Sequence, residues 1–164
     1  MAALLLLPAA LSFTRSCGLL PQVYRNVLDP GLVYEAGRHI EWLQEQNPGR
    51  RPEQLGHDLV AQDPFWVRLV SDRRLLAIAA HYIGEDIALF ASHYIAKPPG
   101  DGQEVLMHQD GSYWPLEPME VVTLWLAVDD SDVDNGCMKV LPGTVRPTPQ
   151  EPQIPLCCLP PSPT

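Results

Sequence analysis

The strongest chemical suggestion in this chain is the tripeptide His108-Gln109-Asp110. On an extended strand, residues i and i+2 project from the same face. An imidazole and a carboxylate would therefore converge on one point while Gln109 turns away. Such a pair supplies two of the three protein ligands of the 2-His-1-carboxylate facial triad, which holds non-haem Fe(II) and leaves coordination positions open. Taken alone, His-x-Asp is equally an ordinary exposed polar pair, so the surroundings must decide between the two.

Other chemistries find no support. The sequence has no G-x-S-x-G elbow, no phosphate-cradling glycine loop and no defensible Cys-His nucleophile pair. Cys17, Cys137, Cys157 and Cys158 lack zinc spacing. Asp130, Asp132 and Asp134 imitate the start of a calcium loop. That loop needs Gly at its sixth position and Glu at its twelfth, where Asn135 and Leu141 stand. Arg73-Arg74 could attract a phosphorylated substrate, but a charge pair on a helix is usually only solvated. Lys97, in a loop before two prolines, reads as solvated or as a partner for a carboxylate.

Charge narrows the partners. The 164 residues carry 11 Lys/Arg against 20 Asp/Glu, a formal charge of −9. That surface repels phosphate backbones and anionic lipid, so neither nucleic acid nor a membrane is expected as a partner. From Gly100 to Thr144 nine acidic residues (Asp101, Glu104, Asp110, Glu117, Glu120, Asp129, Asp130, Asp132, Asp134) face one basic residue, Lys139, a stretch better suited to a cation than to an anion. The cysteine pattern points to a reduced, cytoplasmic setting. Residues 1–18 form an apolar N-terminal segment that could be disordered. It lacks a basic n-region, and an organellar presequence with Arg15 and Arg25 is the weaker alternative.

The elements that must position His108 and Asp110 follow from periodicity and punctuation. Leu19 to Val27 reads as a short strand. Asp29-Pro30 starts a helix, with Leu32, Val33, Ala36, Ile40 and Leu43 at the 3.6 period, ending near Gln46 before Asn47-Pro48-Gly49. A polar loop spans Gly49 to Gly56. Asp63-Pro64 starts a short helix with Phe65, Trp66 and Leu69. Ser71 or Asp72 caps another, with Leu75, Leu76, Ile78, Ala79 and Tyr82 as its apolar face and Gly84 as its stop. Asp86 to Ala96, Glu104 to Asp110, Glu120 to Val128 and Cys137 to Leu141 then read as strands. Helices followed by strands predict an α+β fold with a mainly antiparallel sheet. Seven of the eighteen prolines fall after Thr144, so 145–164 reads as a Pro-rich disordered tail.

Four blocks give these elements a family context: His93-Tyr94-Ile95-Ala96-Lys97-Pro98-Pro99; Met107 to Ser112; Thr123-Leu124-Trp125-Leu126-Ala127-Val128-Asp129-Asp130; and Asn135-Gly136-Cys137-Met138 with Leu141-Pro142-Gly143-Thr144. In order and spacing they resemble the core of the phytanoyl-CoA dioxygenase family, well over 86–144 and more loosely over 23–84. The resemblance implies an incomplete double-stranded β-helix (jelly roll) in the domain 19–144, and a dioxygenase using Fe(II) with 2-oxoglutarate as cosubstrate. It makes His108 and Asp110 iron ligands. It places His93 and Trp125 beside 2-oxoglutarate, although by residue type alone His93 is equally a core-edge histidine and Trp125 a packing aromatic. Tyr113 and Trp114 would shape a substrate mouth or pack at a strand end.

The family pattern also asks for a second iron-ligand histidine downstream and an arginine that pairs with the distal carboxylate of 2-oxoglutarate. His108 is the last histidine here, and the only later arginine, Arg146, lies in the tail. Val145 stands where relatives carry histidine, and the resemblance stops there. The expectation is a truncated product. The alternative to an enzyme is a non-catalytic β-helix fragment acting as an interaction or regulatory module.

Overall fold

A computed structural model of the protein describes residues 3–9, 21–118 and 120–141. The elements run β1 (Ala3–Ala9), β2 (Gln22–Arg25), α1 (Pro30–Glu45), α2 (Leu59–Gln62), α3 (Pro64–Val70), α4 (Arg73–Ile83) and β3 (Val121–Leu126), with 3₁₀ turns at Pro52–Gln54 and Asp110–Tyr113. Pro142-Gly143-Thr144, Arg146 and the Pro-rich tail lie outside the described residues.

The helices begin where their caps are written. Asp29 is extended (φ −63°, ψ 135°) and its carboxylate accepts from Gly31 N at 2.8 Å, with Pro30 following. Asp63 repeats the device for α3, accepting from Phe65 N at 2.9 Å, and Asp72 for α4, accepting from Arg74 N at 2.9 Å. Each satisfies one of the orphan N–H groups of a first turn. Gly84, at φ 86°, ends α4 in the left-handed region open to glycine.

The buried faces match the periodicity. Val33, Ala36 and Leu43 of α1 join Leu59, Phe65, Trp66, Leu69 and Leu75 in one core, with Leu32 and Ile40 packed against it. Leu76, expected on the apolar face of α4, is exposed instead. Its neighbours Leu75 and Ala79 define the stripe turned inward.

The strands form one antiparallel sheet in the order β2-β1-β3. The apolar N-terminal segment, for which disorder is one expectation, instead supplies the middle strand over Ala3–Ala9: Leu4 pairs with Tyr24 on one side and with Leu126 on the other. Pro8 lies opposite Val122, past the end of the β1–β2 pairing, where a residue without an N–H forfeits fewer ladder bonds. On β3, Leu124 and Leu126 pack against the helical core, so strand alternation turns Thr123 and Trp125 to the other face. Tyr24 and Tyr82 tie β2 to α4 through a 2.7 Å hydroxyl–hydroxyl hydrogen bond.

Helix and sheet are mixed, as expected, but the described strands close no barrel. Three segments expected as strands carry no ladder among the described residues. Asp86 to Ala96 has a single bridge at His93, Glu104 to Asp110 leads into a 3₁₀ turn, and Cys137 to Leu141 forms none. Strand-forming residues fit a pleated, half-buried surface, and a ladder also requires a neighbouring strand.

Candidate metal centre

His108 and Asp110 meet as their spacing implied, although the segment is not a paired strand. Gln109 is extended (φ −116°, ψ 120°) and Asp110 opens the 3₁₀ turn. His108 Nε2 stands 3.1 Å from Asp110 Oδ1, and each side chain is 35% exposed. The other ring nitrogen is committed, because Nδ1–H donates to the Leu106 carbonyl at 2.7 Å. In that tautomer Nε2 presents a lone pair to a carboxylate oxygen. Two electron-pair donors at this distance attract only when a cation lies on or between them, either a proton or a metal ion. Two bonds of about 2.1 Å to one metal at right angles would also set their donors roughly 3 Å apart. The backbone carbonyl behind Nδ1 is the usual outer partner of a metal-bound histidine. The pair therefore fits a metal. Among the described residues no group of three His, Cys, Asp or Glu side chains converges to complete a site.

Around the pair, the Tyr113 ring lies 6.0 Å from that of His108 and is exposed, and Trp114 packs edge-on against Phe90 at 5.4 Å. Trp125 is half-buried on the face of β3 turned from the helices. Among the described residues neither Trp125 nor His93 makes a ring contact with His108. His93 is exposed and meets His57 instead, their rings perpendicular with centroids 5.0 Å apart.

The loop leading to His108 is fastened through Arg51 and Glu53, neither of which the sequence singled out. Arg51 donates to Asp101 Oδ2 at 3.0 Å, to the Asp101 carbonyl at 2.8 Å and to Glu53 Oε1 at 2.9 Å. Glu53 also accepts from Gln103 N at 3.2 Å. Its hydrogen bond to Arg51 holds the Glu53 carboxyl down at about 2, and the same carboxylates raise the Arg51 guanidinium. Lys97, expected to be solvated or paired with a carboxylate, donates to the Gly136 carbonyl at 2.6 Å and so joins this loop to the acidic turn. That turn folds on itself: Asp132 Oδ1 accepts from Asp134 N and Asn135 N. Arg74 is occupied by Asp72, which its guanidinium holds at about 2.

A family model for phytanoyl-CoA dioxygenase matches residues 5–155 of this chain. The chain belongs to the phytanoyl-CoA dioxygenase family. The family match runs beyond Thr144, where the resemblance of the individual blocks was expected to stop. A phytanoyl-CoA dioxygenase of Arabidopsis thaliana is 33% identical over 100 residues, covering 58% of this chain and 35% of the relative. The phytanoyl-CoA dioxygenase domain-containing protein 1 of Bos taurus is 34% identical over 98 residues, 59% of this chain and 34% of the relative. The protein of that name in Danio rerio is 32% identical over 91 residues, 55% and 31%. The matched stretch thus spans about a third of the length of these phytanoyl-CoA dioxygenase relatives. No solved structure matches the chain. Among the described residues no helix is long and apolar enough to cross a membrane.

Proposed function

We propose that this chain carries the metal-binding core of an Fe(II)/2-oxoglutarate-dependent dioxygenase that hydroxylates a small organic or acyl substrate. One observation supports the reading above the rest: a histidine whose Nδ1 proton is spent on a backbone carbonyl aims Nε2 at a carboxylate 3.1 Å away. Family membership supplies the context. Bound Fe(II), with 2-oxoglutarate as cosubstrate, would supply the oxygen activation needed to hydroxylate a C–H bond. His108 offers the Nε2 lone pair, and its bond to Leu106 fixes the ring's orientation and tautomer. Asp110 contributes a carboxylate oxygen and a negative charge that offsets the cation. Both side chains are partly open, which leaves room for small molecules beside them.

In this reading Trp125 walls the cosubstrate, and Tyr113 with Trp114 borders the substrate mouth, while His93 faces His57 instead. The family's jelly roll gives a further role to the extended segments. Leu89, Phe90, Ile95, Val105 and Leu106 are all exposed, and in a double-stranded β-helix neighbouring strands would cover apolar segments of this kind.

The test is anaerobic titration of the 164-residue chain with Fe(II) and 2-oxoglutarate. It follows the metal-to-ligand charge-transfer absorption of the chelated cosubstrate, and separately the iron retained after gel filtration. A band with retained iron, both abolished by His108→Ala and by Asp110→Ala, is the expected result. Iron retention unaffected by either substitution would refute the assignment of these ligands.

A further inference from the structure

We propose that His57 and His93 form a second metal site, a two-imidazole clamp for a borderline divalent cation of the zinc class, separate in its residues from His108 and Asp110. The argument begins with the backbone. His57 and His93 are partners in an antiparallel bridge, and the hydrogen bond beside it runs from Tyr94 N to the Gly56 carbonyl at 2.8 Å. Gly56 and Tyr94 are therefore the hydrogen-bonded pair, and His57 and His93 occupy the adjacent non-hydrogen-bonded position, where opposing side chains come closest.

The ring separation matches the chemistry. Zinc lies about 2.0–2.1 Å from a histidine nitrogen, hence ~3.2 Å from the ring centroid. Two imidazoles at roughly the tetrahedral angle then have centroids on the order of 5 Å apart. The observed separation is 5.0 Å. Both residues are exposed, so rotation about χ2 can aim one nitrogen of each ring at a common point without disturbing packed neighbours, and water can complete the coordination.

The supports are rigid where the rings are free. Gln62 Nε2 donates to the His57 carbonyl at 2.8 Å, and Gln44 Nε2 donates to the Tyr94 hydroxyl at 2.9 Å, securing both sides of the bridge. Imidazole suits zinc, nickel and copper better than calcium or magnesium, which take oxygen ligands.

The experiment uses the full 164-residue chain carrying His108→Ala and Asp110→Ala, with its thiols alkylated, titrated with Zn(II) by calorimetry. One saturable equivalent is expected. Adding His57→Ala or His93→Ala should weaken it by on the order of tenfold or more, since losing an outer partner alone can cost that much. A second readout does not depend on those substitutions: the side-chain ¹⁵N resonances of both histidines should shift together during the titration. Absence of saturable zinc, binding indifferent to His57→Ala and His93→Ala, or movement of only one ring would overturn the proposal. None of these results bears on iron binding by His108 and Asp110, which the Fe(II) titration tests.

Discussion

Gly56 and Tyr94 meet backbone to backbone, and a Cβ built on Gly56 would stand 1.8 Å from the Tyr94 carbonyl oxygen and 2.8 Å from its carbon. The contact lets the segment bearing His93 dock beside α1. No flexible side chain is involved that could move aside, so the backbones themselves would have to part.

Gly56→Ala should therefore behave as severe overpacking. Such insertions cost typically 1–3 kcal/mol, and a clash with main chain belongs at or above the upper end, about 3 kcal/mol. Urea unfolding should show the loss, and the amide of Tyr94 should lose protection from hydrogen exchange. Wild-type stability in Gly56→Ala would mean that the two segments do not pack as described.

Asp63 performs two tasks, capping α3 through Oδ1 and holding His39 Nδ1 through Oδ2 at 2.5 Å, while the His39 ring stacks on Phe65 at 3.9 Å. Asp63→Ala loses both tasks and should cost about 3 kcal/mol, summing a cap of about 1 and a charge-assisted bond of about 2. Asp63→Asn keeps a competent cap and should cost about half as much. Equal losses in the two variants, measured by chemical denaturation, would show that only one task matters.

Acid should release the staple between 51–54 and 101–103. The Glu53 carboxyl lies at about 2 in the folded chain against an ordinary 4.5, because Arg51 hydrogen-bonds its charged form. Its contribution is complete above pH 4.5, declines as the pH falls, and is gone below about 2. Carboxyl ¹³C shifts should report the low midpoint, and Glu53→Gln should flatten the stability profile between those limits. A Glu53 midpoint at its ordinary value would exclude the ion pair as a stabilising element.

Exposed apolar side chains should mark the isolated chain. Leu89, Phe90, Ile95, Val105 and Leu106 are each exposed by half or more, along segments without a sheet ladder. We expect enhanced fluorescence of the dye ANS and a broad thermal transition. A sharp, cooperative melt without dye binding would contradict this account of the surface.

The sequence alone determined the features governed by neighbours in the chain. Asp29, Asp63 and Asp72 announce the helices because a cap acts over two or three residues, and the two-residue step from His108 to Asp110 brings an imidazole and a carboxylate together wherever the backbone is extended. Long-range packing chose what those elements meet. It put Ala3–Ala9 in the middle of the sheet, left Asp86 to Ala96 with one bridge, set His57 against His93, and joined Arg51 to Asp101 and Lys97 to Gly136 across 50 and 39 residues. Strand propensity says that a residue tolerates a pleat, and a charged side chain says that it wants a partner. Neither names the distant backbone that satisfies it, because that choice belongs to the packing of the whole chain.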